Sequence, residues 1–200
     1  MINKFIYQLL PAIGIVLFCS CASTNISKYY EKNKRTLESI EQSYQSQYKK
    51  QKFSLLFTDK SYQHFSLEIH TDSIKYIYDF DTSENRLNDT LEKFHFRIPE
   101  MRTLINNMQS IRCTWIDNLD YYVDDKKNYL VFMSIRKKTI NLPFIEQKYY
   151  VLTYFAQPQY YDNEGRLLDH RSRRRLRKIN GEIFRRINDK VCYTVSTLFR

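Results

Sequence analysis

Two series of alternating apolar residues flank a polar turn in the stretch "HFSLEIHTDSIKYIYDFD", which spans residues 64–81. Phe65, Leu67 and Ile69 point to one side of an extended chain. After Thr71-Asp72-Ser73, residues Ile74, Tyr76, Tyr78 and Phe80 form a second such series. Strict alternation of aromatic and β-branched residues about a polar turn is the signature of a hairpin with one buried and one wet face. The same reading extends to "FSLLFT" (53–58), to "EKFHFRI" through Phe94, Phe96 and Ile98, to "LDYYV" and "YLVFMSI" around the turn "DDKKN", and to "QKYYVLTYFAQ". A small hairpin is expected about Asn163 to Gly165.

Three segments read as helix instead. In residues 27–51, Leu37, Ile40, Tyr44 and Tyr48 recur at helical spacing without Gly or Pro. Pro99 and Glu100 open a helix in which Met101, Leu104, Ile105, Met108 and Ile111 make the apolar stripe. From His170 to about Lys190 a basic helix is expected, with Leu176, Ile179, Ile183 and Ile187 buried. The ending "VCYTVSTLF" has strand composition but continues that stripe through Val191, Val195 and Leu198, and is read as helix. Runs of strands flanked by helices give an α+β domain. Its antiparallel sheet is expected to have about six to seven strands, with an N-terminal, a middle and a C-terminal basic helix packed on it.

The first 24 residues carry a different message. Lys4 precedes an apolar run from Phe5 to Phe18, broken by Gln8 and Pro11. The run is shorter than the roughly 20 residues that cross a bilayer as a helix, and a basic start followed by a short apolar stretch and small residues is a secretory pattern. Leu17-Phe18-Cys19-Ser20-Cys21 resembles the lipobox of bacterial lipoproteins, with small Ser20 before the cut, although Phe18 stands where an aliphatic residue is usual. The resemblance covers residues 1–21. It implies a signal peptide over 1–20 and lipid on Cys21, hence a membrane-anchored protein of the cell envelope, on its periplasmic or surface side. A C-x-C metal site would need a second ligand cluster, and none accompanies this one. The expected organisation is then a lipid-anchored tether and helix over 21–52 and a single α+β domain over 53–200. Outside the cytoplasm, Cys113 and Cys192 either pair as a disulfide or remain two buried thiols.

Glycine scarcity excludes whole classes of chemistry. Beyond the leader only Gly165 and Gly181 remain, whereas phosphate-binding loops, dinucleotide fingerprints and nucleophile elbows need clustered glycines. No cofactor is expected. His64, Glu68 and His70 share one strand face, but six residues of strand separate the two histidines by about 20 Å, too far for one metal. No metal site is expected, and these residues read as the wet face of the sheet. Glu68 with His70, or the pair Asp79 and Asp81, are the candidates for carboxylate–histidine chemistry in an envelope hydrolase acting on glycan or peptide. The 17 tyrosines, several in doublets that place one ring on each strand face, offer a rigid amphipathic contact surface.

Charge is concentrated. The chain carries +10 at pH 7 and would keep +9 after loss of Lys4 with the leader. Residues 166–190 hold ten bases against Asp169, Glu182 and Asp189, a local +7. Arg171, Arg174, Arg175, Lys178 and Arg185 are expected to face outward together from the C-terminal helix. Such a face suits anionic lipid, lipopolysaccharide phosphate, cell-wall carboxylates or an acidic protein. Nucleic acid fits the charge but not the compartment. The reading is a non-catalytic binding or structural domain on a lipid anchor.

Overall fold

A computed structural model describes residues 3–123, 126–137, 146–169 and 172–198, with side chains placed from Ile26 onward except that of Val123. It divides into two units, residues 1–37 and 38–200. The first is part of helix α1, Asn3–Tyr48, whose last turns belong to the second unit. The second unit is α+β. It contains β1 (Lys52–Phe57), β2 (His64–His70), β3 (Lys75–Asp81), α2 (Arg86–Lys93), α3 (Ile98–Ile111), β4 (Cys113–Val123), β5 (Lys126–Arg136), β6 (Tyr149–Phe155), the two-residue strands β7 (Lys178–Ile179), β8 (Glu182–Ile183) and β9 (Arg185–Arg186), and β10 (Val191–Ser196).

The main sheet has eight strands in the order β3-β2-β1-β4-β5-β6-β10-β9, and every pairing within it is antiparallel. The alternating stretch that reads as a hairpin forms β2 and β3, with Phe65 opposite Phe80 and Leu67 opposite Tyr78. Phe53, Leu55 and Phe57 of β1 lie opposite Ile69, Leu67 and Phe65, and Leu55 meets Ile116 of β4, so one apolar face runs unbroken across the strands. Helices cover that face. Tyr44 of α1 packs its ring 4.8 Å from Phe53 and donates its hydroxyl to the Phe53 carbonyl at 2.6 Å. In α3 the expected stripe of Met101, Leu104, Ile105, Met108 and Ile111 is buried. Fully buried Gln47 couples the two helices: its amide nitrogen donates to Glu100, and its amide oxygen accepts the Arg97 N–H at 3.1 Å at the start of α3.

Several expectations fail, each for a local reason. Residues 86–93, whose last two belong to the expected strand "EKFHFRI", form α2, because Leu87 and Leu91 fall four apart and bury one helical face. Phe94 therefore ends a helix instead of starting a strand. The sheet has eight strands, not six to seven, because the C-terminal segment supplies two of them. Among the described residues of that segment there is no basic helix. Asn180 and Gly181 both adopt positive φ (50° and 81°) between β7 and β8, the geometry of a two-residue hairpin turn. Ile183 is consequently 37% exposed instead of joining a buried stripe. Residues 191–196 are strand, not helix, paired along their full length with β6; their β-branched composition outweighs the helical spacing once both sheet faces are covered.

The second face of the sheet is divided. Over β4, β5, β6 and β10 it carries Trp115, Leu130, Phe132, Val151, Phe155 and Cys192, and the C-terminal segment covers them with Leu167, Ile179 and Phe184. At β1 Leu56 still packs against this covered cluster, and over β2 and β3 the face carries His64, Ser66, Glu68 and His70 with Lys75, Ile77, Asp79 and Asp81.

Candidate functional site: a basic cap and an open polar face

The C-terminal segment is a cap of short strands tied together by backbone. The Leu167 N–H donates to the Phe184 carbonyl at 2.9 Å, the Arg177 N–H to the Leu167 carbonyl at 2.9 Å, and the Arg186 N–H to the Gly165 carbonyl at 2.7 Å. Gly165 itself has φ +73°, which a side chain would strain. Eight of the cap's ten basic residues fall into two groups. In the first, the guanidinium of Arg173 stacks 4.2 Å over the Tyr160 ring, Arg177 lies 5.2 Å over Tyr121 and 5.5 Å over Phe155, and Arg186 sits 5.7 Å over Tyr161 and pairs with Asp189 at 2.6 Å. Arg166 pairs with Asp162 at 2.7 Å. These four bind the cap together through ion pairs and cation–π contacts.

The second group is Arg174, Arg175, Lys178 and Arg185, all exposed and without an ion pair among the described residues. Lys178 lies opposite outward-facing Ile183, on the side of the β7–β8 hairpin away from buried Ile179. Sequence reasoning thus selects the outward bases but on the wrong scaffold. Arg171, grouped with them, lies outside the described residues. The sorting of bases into stacked and free ones has a signal in the sequence only in hindsight, since the aromatic partners Tyr121, Phe155, Tyr160 and Tyr161 come from other segments.

Under the cap, Trp115, Phe132, Val151, Ile179, Phe184 and Thr194 line an apolar pocket of about 50 Å³, with Glu182 and Ser196 at its polar side. That is room for a few water molecules. A wider cleft of about 220 Å³ opens between the end of α1 and the β4–β5 hairpin, lined by Gln45, Tyr48, Lys49, Lys52, Asn118, Asp120, Lys127 and Tyr129. Lys127 pairs with Asp120 at 2.7 Å, which leaves the cleft with two further ammonium groups.

The carboxylate and histidine candidates all lie on the open face of β1–β3. Glu68 takes an ion pair from Lys75 at 2.5 Å, has His70 3.8 Å away and accepts the Ser54 hydroxyl at 3.4 Å. Asp79 accepts the Ser66 hydroxyl, and Asp81 pairs with His64. Glu68 and His70 are therefore brought together, whereas Asp79 and Asp81 are engaged by separate partners. Nearby Asp117 has its carboxyl pushed above the usual range by burial, against the pull of its own backbone contact with Asn118 and of His70. Among the described residues no three His, Cys, Asp or Glu side chains converge as a metal-binding group. The arrangement is a sheet surface laced with ion pairs, in which His64 and Asp81 are exposed while Glu68, at 15% side-chain exposure, lies beside half-buried Asp117.

Cys113 and Cys192 are both free and buried. The Cys113 thiol donates to the Trp115 carbonyl at 3.4 Å, and burial pushes it up to about 12. Burial likewise raises Cys192. Cys21 lies in the part of α1 whose side chains fall outside the described residues, and among the described residues no helix is long and apolar enough to cross a membrane. Comparison with known proteins finds no matching family model, no similar curated protein and no similar solved structure.

Proposed function

We propose that this protein is an envelope lipoprotein anchored through Cys21, and that its folded part is a non-catalytic module that holds anionic envelope material against its basic cap. The observation that carries the reading is the sorting of the cap's bases. Four are consumed in stacking and ion pairs, while Arg174, Arg175, Lys178 and Arg185 remain exposed with no ion pair among the described residues. A rigid cap that leaves such bases free offers charge to a partner instead of spending it internally. Each base near an anionic surface contributes about 1 kcal/mol, too little to hold a protein alone but useful once a lipid chain has brought it there. A hydrolase using Glu68, His70, Asp79 or Asp81 is disfavoured because Asp79 and Asp81 are exposed and held by separate partners, and Glu68 is engaged by Lys75.

The test is co-sedimentation of the Cys21→Ala protein with vesicles of phosphatidylglycerol mixed into phosphatidylcholine. Reversing Arg174, Arg175 and Lys178 to Glu should weaken association by about tenfold or more, and added salt should weaken the parent in the same direction. Association indifferent to both would overturn the basic-surface reading. Mass spectrometry of the N-terminus of the parent, grown in a bacterial host, tests the anchor: an unprocessed start at Met1 or an unlipidated Cys21 would remove it.

A further inference from the structure

The sheet ends at β3, and the hydrogen bonds around it define which of its backbone groups are unused. The Thr82 N–H donates to the Gln63 carbonyl at 2.8 Å and the Thr71 N–H to the Ile74 carbonyl at 2.9 Å, at the two ends of the β2–β3 ladder. In an antiparallel pair, bonded and non-bonded residue pairs alternate. Ile74, Tyr76, Tyr78, Phe80 and Thr82 therefore turn their N–H and C=O groups towards β2, and Lys75, Ile77, Asp79 and Asp81 turn theirs outward. Asp81 is already satisfied, since its N–H donates to Glu84 Oε2 at 3.3 Å and its carbonyl accepts the Glu84 N–H at 3.0 Å. The open edge is Lys75, Ile77 and Asp79.

From this edge we infer that β3 pairs with β3 of a second copy of the same chain, antiparallel about a two-fold axis through Ile77. An isologous contact requires a surface to match itself, and this register does so at each level. Lys75 comes opposite the second copy's Asp79, and Asp79 opposite its Lys75. Ile77, 59% exposed in the single chain, meets its own equivalent on the axis. On the helix-covered side Tyr76 comes opposite Tyr78, extending a ladder in which Tyr76 and Tyr78 already stack at 6.3 Å and Tyr78 and Phe80 at 6.0 Å. Opposite charges and aromatic pairs across strands are the contacts that stabilise a sheet. Neighbouring registers fail. An axis through Tyr78 needs the occupied groups of Asp81 and sets Ile77 against Asp79, and one through Tyr76 sets Lys75 against Ile77. An edge guarded only by a lysine and an aspartate would resist most strands, yet those two charges cancel against a copy of themselves. Three bonded residue pairs make a small interface, so the dimer is of the weak, reversible class.

Cross-linking of the full-length protein in detergent micelles decides the matter. In the proposed register the Ile77 Cα atoms lie about 5.5 Å apart, within disulfide reach. Ile77→Cys should form a covalent dimer on mild oxidation, while Ile183→Cys, an accessible position on the cap, should not. Asp79→Lys should lower the dimer yield of Ile77→Cys by roughly tenfold or more, because the axis repeats each contact. Adding Lys75→Asp should restore it, since Glu68 sits diagonal to both positions and keeps a lysine partner in either arrangement. Absence of a cross-link in the Ile77→Cys protein, an equal yield from Ile183→Cys, or failure of the exchanged pair to recover would each overturn the proposal.

Discussion

Single residues do much of the work at the turns. Asp59 stands between β1 and β2, where its carboxylate accepts the N–H groups of Ser61, Gln63 and His64 at 3.0–3.2 Å and the Ser61 hydroxyl. Desolvation pushes its carboxyl upward, but these hydrogen bonds outweigh it and hold Asp59 at about 2. A depressed carboxyl contributes stability that is present above its unfolded pKa, near 3.8, and is lost as pH falls through the folded one. Asp59→Ala should therefore cost about 1 kcal/mol at neutral pH, a value reduced for the group's solvent exposure. The gap between the urea midpoints of variant and parent should narrow as pH drops from about 5 to 3. A gap constant over that range would show the hydrogen bonds to be unimportant. Neither partner set is visible in "TDKSYQHF", because an Asp that organises a turn looks the same as one that merely occupies it.

At the scale of elements, legibility followed the length of the pattern. The β2–β3 hairpin and α3 read correctly because each repeats one period over many residues, and burial of that stripe rewards one conformation only. The cap misread because four apolar residues at helical spacing were weighed above Asn180-Gly181, a hairpin signal present in the sequence and passed over. Phe184, 2% exposed, is one of three cap residues in the buried cluster that also holds Trp115, the chain's one tryptophan. Truncating Phe184→Ala should cost about 3–5 kcal/mol. Trp115, 8% exposed and stacked on Phe132, should report the loosening as a red-shifted emission at urea concentrations where helix signal persists. Coincident loss of both signals would mean that cap and sheet unfold as one unit.

For the molecule as a whole, strand order decides what chain-distant residues can do to one another. Cys113 begins β4 and Cys192 lies in β10, with β5 and β6 between them. Three inter-strand steps span about 14 Å, well beyond the roughly 7 Å limit for Cα atoms joined by a disulfide. The pairings Cys113–Ile135, Ile135–Tyr150 and Tyr150–Val195 also set Cys192 three residues off that row. Both thiols should resist maleimide in the folded protein and react in unreduced denaturant, as peptide mapping would show; a joined Cys113–Cys192 peptide would contradict this topology.

Alternation and helical spacing were enough to establish an α+β antiparallel fold and the α3 stripe, because each depends on residues close together in the chain. The charge concentration of residues 166–190 was equally legible, since it is a count. Which of those bases are stacked on tyrosines and which stand free, which half of the sheet's second face is capped, and which strand is left as the edge depended on contacts between distant segments. Such contacts are settled by the closing of the sheet and the packing of two faces at once, and no window of sequence contains both partners.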